Sequence, residues 1–222
     1  MIDNNTRREP RLGIDIGRVI IDGAAHPGGG DTAFFAGDEA TMLATPEVPG
    51  AVEAIARLVP RFDGRVWLVS KCGPRVQART LRWLDSHDFY RRSGVARDQV
   101  RFCRARADKR VHCLDLALTH FVDDHPEVHA AIRGAVTHQY FFGPQHRPVP
   151  GYGRPAPTWA EVERLVTRSL GTQGWSARGD RRDREPVVPG RHPAGGSGRD
   201  GAHRGEDESD ERRIAEPHPH RS

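Results

Sequence analysis

Short runs of apolar, β-branched residues, three of them carrying a small polar or acidic residue where a strand would end, alternate along this chain with segments of helical periodicity. LGIDIGRVII (12–21), RVWLVS (65–70), VRFC (100–103), THFVDD (119–124) and VTHQYFF (136–142) read as strands. Between them lie PGAVEAIARLVPRF, with Val52, Ile55, Ala56 and Val59 at helical spacing, and a segment after Gly73-Pro74 in which Val76, Thr80, Leu81 and Leu84 share a face. Residues 107–117 and PEVHAAIRG continue the alternation, and Thr158 with Glu161 three residues on has the capping-box spacing for a last helix, TWAEVERLVTRSL. Near-continuous apolar strands alternating with helices predict an α/β fold, a doubly wound parallel sheet with helices on both faces, three layers in all. The first run is expected to be a buried strand continuing into a second short one. Residues 23–48, rich in Gly and Pro with Phe34 and Phe35 between two glycine clusters, are expected to form a loop or hairpin insert. There Phe35 and Phe34 have two roles open to them, packing in the core or stacking on a base or sugar.

The pattern stops near Gly171. From Ser176 onward there is no Leu, Met, Phe, Tyr, Trp or Cys, and such a stretch cannot offset the entropy of ordering its backbone. The chain thus divides into a flexible N-terminus (1–10), an α/β domain (11–171) and a disordered tail (172–222). The tail carries ten Arg against ten Asp plus Glu, so the formal charge of +4 belongs to the domain. A nucleic-acid arm needs a block of positive charge, and this mixed polyampholyte is not expected to be one. No apolar run approaches the ~18 residues of a membrane span. The start MIDNNTRREP has no signal-like segment either, so no membrane association and a cytoplasmic location are expected. Cys72, Cys103 and Cys113 form no C-x-x-C pair and suit neither a disulfide framework nor a structural zinc site; they are expected to be reduced and buried.

In a doubly wound sheet, chemistry sits beyond the carboxyl ends of the strands. Asp15 is expected at the end of the first strand, Ser70 at the end of the second, and Asp123 and Asp124 at the end of the fourth. The chain uses Arg almost throughout for positive charge, yet keeps two lysines: Lys71, beside Ser70, and Lys109, at the start of a helix. Lysine is a compact point charge on a flexible stem, unlike the planar arginine fork. His125 and His129 are expected to face solvent.

Asp15 in GIDIG, Ser70 in WLVSK, Lys109 in ADKR and the acid pair in FVDDHPE resemble, in order and in strand position, the four motifs of the haloacid dehalogenase superfamily, closest to its phosphatase and 5′-nucleotidase-like branches. The resemblance covers roughly residues 11–143. It implies a magnesium-dependent phosphomonoester hydrolase with a minimal cap or none. Asp15 is the implied nucleophile, forming an aspartyl-phosphate; Ser70 binds a phosphoryl oxygen and Lys109 balances charge. Asp15, the Gly17 carbonyl, Asp123 and Asp124 would hold Mg²⁺, with Glu127 behind the metal waters and Gly17, Arg18 and Lys71 touching substrate. The implied partner is a phosphorylated small molecule or macromolecule. One position departs from the pattern. The phosphatase members usually carry a second aspartate two residues after the nucleophile, as general acid–base, where this chain has Gly17. Three outcomes follow from that departure: hydrolysis of substrates with good leaving groups such as acyl or aryl phosphates, a substitute acid–base from the following loop such as His26 or Asp22, or a phosphate- or nucleotide-binding domain on the same fold without turnover.

Overall fold

A computed structural model of the protein describes residues 9–26 and 31–172. The expectations of a flexible start and a disordered tail fall almost wholly outside these residues. Six strands form one sheet: β1 (Leu12–Ile14), β2 (Val66–Lys71), β3 (Val100–Cys103), β4 (His120–Asp123), β5 (His138–Phe142) and β6 (Gly153–Ala156). Their order is β3-β2-β1-β4-β5-β6, and every neighbouring pair is parallel. The chain therefore winds outward from β1 on one side and then returns to its other side at β4. The boundary between β1 and β4 is the switch point, where the loops leaving adjacent strands diverge and open a crevice.

Alternation along the strands feeds two cores. Leu12, Ile14, Val66, Leu68, Val122, Tyr140 and Phe142 face one side and pack on α3 (Ala51–Leu58), α4 (Pro74–Ser86), α5 (Phe89–Ser93) and α8 (Trp159–Thr172). Trp67, Val69 and Phe121 face the other side, against α6 (Lys109–Asp115) and α7 (Pro126–Ala131). This is the three-layer α/β architecture the sequence predicts. At Gly13 a Cβ would lie 2.5 Å from the Phe121 ring, so the glycine lets that aromatic cross the sheet face. No helix among the described residues is long and apolar enough to cross a membrane.

The structure departs from the sequence reading in four places. The first apolar run is a strand only to Ile14. Residues 16–21 then form a tight turn, with Ile20 and Ile21 both donating to the Ile16 carbonyl (2.8 and 3.0 Å) and Arg18 at φ +60°. Its Ile16, Val19 and Ile20 are buried, which is why the run looks like strand. The 23–48 insert is not a loop or hairpin: it contains two short helices, α1 (Asp31–Ala36) and α2 (Glu39–Leu43). Along α4, Leu81 is exposed and Trp83 takes the core position, donating its indole N–H to the Thr45 carbonyl (2.8 Å). Finally, β6 adds an edge strand that residues 153–156 do not announce.

Capping holds at α8, where the Glu161 N–H reaches Thr158 Oγ1 at 3.3 Å. The three cysteines are free and buried.

Candidate active site at the carboxyl rim

Asp15 directly follows β1, and its N–H donates to the Val122 carbonyl (2.9 Å), which extends the pairing with β4 by one residue. Asp123 is the last residue of β4, so the two carboxylates are brought side by side by strand register alone. The turn after Asp15 is pinned from a distance of 140 residues: Trp159, opening α8, donates its indole N–H to the Val19 carbonyl (2.7 Å). Lys109 enters from the first turn of α6. Its Nζ lies 2.7 Å from Asp15 Oδ1 and 2.7 Å from Asp123 Oδ2, with its side chain only 2% exposed. The ammonium also sits 5.8 Å from the centre of the Phe121 ring, whose face favours a cation.

Asp123 is further fixed on both its functional groups. Its Oδ1 accepts the His125 N–H (2.8 Å), and its carbonyl accepts from His129 Nε2 (2.9 Å). His129 is fully buried and stacked on Phe141, ring centres 3.8 Å apart, contrary to the expectation that it faces solvent. Burial holds its pKa down at about 4, so it supports Asp123 as a neutral ring. His125 is half-buried and borders the site rather than pointing into bulk water.

Oxygens of Asp15, Asp123 and Asp124 lie within 4.8 Å of one another. Burial pushes Asp15 up to about 6, with Lys109 opposing the shift and Asp123 adding to it. Asp123 is also raised by burial against the pull of Lys109, and Asp124 by burial and the nearby charge of Asp15. Burial alone would lower the pKa of Lys109, but the two carboxylates outweigh it and hold the ammonium charged. Two buried carboxylates and the half-buried Asp124 stand against one ammonium within this cluster, an excess of acid. An all-oxygen donor set with that excess is the chemistry a hard divalent cation such as Mg²⁺ requires.

These groups line a cavity of about 380 Å³ that also takes in Ser70, Lys71, Gly17 and Arg18. Every site residue named from the sequence except Glu127 and the loop residues Asp22 and His26 thus borders one space. Ser70 is buried at the end of β2, whereas Lys71 is exposed at the rim. Arg18 is engaged by a residue the sequence reading missed: its Nε donates to Asp31 Oδ2 at 2.9 Å. Arg106 borders the cavity as well, and it follows the carboxyl end of β3, where the strand-end rule would have found it. Glu127 is a correction, since it lies exposed on α7, 3.6 Å from Arg106, and does not border the cavity. A Cβ built on Gly17 would meet nothing within 4 Å, and its backbone is not left-handed. Neither packing nor conformation demands glycine there.

No family model matches the chain, and no curated protein does. Among solved structures it is similar to the D,D-heptose 1,7-bisphosphate phosphatase from Burkholderia thailandensis, at a TM-score of 0.42 and 16% identity, over 71% of this chain and 98% of that one.

Proposed function

We propose that this protein is a magnesium-dependent phosphomonoester hydrolase of the haloacid dehalogenase type, working through an aspartyl-phosphate on Asp15. The observation that carries the reading is the Lys109 ammonium held 2.7 Å from both Asp15 and Asp123, with Asp124 close enough to share one cation with them. Phosphoryl transfer asks for a positioned nucleophile and for neutralised phosphate oxygens, and little else.

In this reading Asp15 uses one carboxylate oxygen to attack phosphorus while Lys109 steadies the other. Ser70 donates its hydroxyl to a phosphoryl oxygen, and Lys71 and Arg18 face the substrate at the rim. Asp15, Asp123, Asp124 and the Gly17 carbonyl would hold Mg²⁺, which when bound supplies charge neutralisation at the phosphoryl oxygens. Water then attacks the phosphorus of the acyl phosphate and frees Asp15. Gly17 provides no proton donor or acceptor for either half of the reaction, a loss worth about 10²- to 10⁴-fold. Turnover is therefore slow on ordinary esters. The substrate is a phosphorylated small molecule or macromolecule.

The open space at Gly17 also favours a second reading, a phosphate- or nucleotide-binding domain without turnover. Magnesium-dependent release of p-nitrophenol from its phosphate separates the two. Wild type is expected to be active, Asp15→Asn inactive, and Gly17→Asp faster than wild type. Activity in Gly17→Asp alone would make the natural protein a binder, and inactivity of both would end the hydrolase reading.

A further inference from the structure

We infer that the site selects aryl phosphate monoesters, seating the leaving group's ring on Phe35 in the space over Gly17. The inference rests on the hydrolase reading above and adds the substrate class. Two independent features of the cavity lead to it.

The first is the leaving group's proton. Attack by Asp15 forms the P–O bond of the acyl phosphate and breaks the P–O bond of the ester, so the electron pair departs on the ester oxygen. No carboxyl side chain stands at position 17 to protonate that oxygen, and the carboxylate of Asp31 is taken by the Arg18 guanidinium. An oxygen leaving unprotonated must be stable as an anion. A phenol ionises near pKa 10. An aliphatic alcohol is a far weaker acid and holds its proton about as tightly as bulk water. The aryl oxide leaves as such and takes its proton from water afterwards; water then splits the acyl phosphate, releasing phosphate and a proton.

The second feature is an aromatic surface bordering the same cavity as Gly17. Phe34 and Phe35 both border the cavity, but Phe34 is buried in the core while Phe35 is 47% exposed. Their rings meet edge to face, centres 5.8 Å apart at 82°. The short helix that carries them is held rather than loose, because Arg79 on α4 donates to the Phe34 and Gly37 carbonyls at 2.7 and 2.6 Å. Ile21 and Val76 extend the apolar wall. A fixed, exposed ring costs little entropy to engage, and an aromatic partner on it is worth a few-fold to about tenfold in affinity.

The test pairs turnover with binding, using the full-length protein and Mg²⁺. Values of kcat/KM are compared for p-nitrophenyl, phenyl and ethyl phosphate. Binding of the unreactive benzylphosphonate and propylphosphonate is measured by calorimetry in wild type, Phe35→Ala and Phe35→Leu, the last keeping apolar bulk should the alanine variant melt early. The expected result is an aryl preference of at least about 10²-fold in kcat/KM. The benzyl-over-propyl affinity ratio should fall several-fold in both variants. Ethyl phosphate turned over as fast as phenyl phosphate would overturn the inference and leave the hydrolase standing, for another group such as His125 would then supply the proton. A benzyl-over-propyl ratio unmoved in both variants would overturn the role of Phe35. No release from any of the three esters would overturn the hydrolase reading and the substrate class together.

Discussion

The two ends of the sheet bury polar groups in opposite ways, and β4 spans both, with His120 at its start and Asp123 at its close. At the amino end, His120 Nδ1 lies 2.7 Å from Thr119 Oγ1 and its Nε2 lies 3.0 Å from Ser169 Oγ, which is also 3.0 Å from the Tyr140 hydroxyl. All these groups are neutral. Burial drives His120 down to about 3 and Tyr140 up to about 12, away from charge in each case. At the carboxyl end, one lysine bridges two of three clustered acids beside a cavity. The first network satisfies itself. The second sets three carboxylates within reach of one another at the wall of an open cavity, and that accessible clustering of like charge is what separates a candidate site from a structural network in the same sheet.

Breaking the charged end should have the largest effect. Lys109→Met removes the sole cation from between buried carboxylates and should cost about 3–5 kcal/mol at pH 7 in urea denaturation. A loss below about 1 kcal/mol would mean that the ammonium is not what lets these acids sit in the interior.

The ends should also respond to acid with opposite signs. Asp15 has its folded pKa raised to about 6 from 3.8, so its contribution to stability is fully present below pH 3.8 and lost as pH rises through 6. The size is on the order of 3 kcal/mol in metal-free protein. His120 has its pKa lowered from 6.5 to about 3, so its contribution is present above pH 6.5 and lost as pH falls towards 3, about 2 kcal/mol of it by pH 5. Unfolding free energies between pH 4 and 8 check this. Asp15→Asn should remove the alkaline-side loss, and His120→Asn the acid-side loss; slopes unchanged by either would break the contrast.

Ser169→Ala should have the smallest effect, about 1 kcal/mol in the same denaturation measurement, because it trims one neutral hydrogen-bond group from a network with other partners. A loss approaching that of Lys109→Met would show the amino end to be as strained as the site.

Legibility in the sequence followed burial. Strands covered on both faces, such as β2 and β4, are continuous apolar runs and stand out, as do the acids that close them. The edge strand β6 is hidden because two of its four residues face solvent and one is Pro155, which a sheet tolerates at its edge. Helices α1 and α2 are too short to show periodicity and are held from outside, by Arg79 and by the Asp38 side chain accepting the Thr41 N–H (2.8 Å). His129 reads as a surface residue because its polar demand is met by the Asp123 carbonyl and the Gln139 amide, partners that only the folded chain brings within reach. The same holds for Arg18: its pairing with Asp31 depends on how the insert folds back. Position 17 was legible as glycine, but that its surroundings are open needed the structure.

The most direct test of the central claim is a crystal structure with Mg²⁺ and fluoroberyllate. It should show one metal ion held by Asp15, Asp123, Asp124 and the Gly17 carbonyl, with beryllium bonded to an Asp15 oxygen and Lys109 against its fluorides. Beryllium attached elsewhere, or carboxylates that leave the metal unbound while Lys109 alone bridges them, would contradict it.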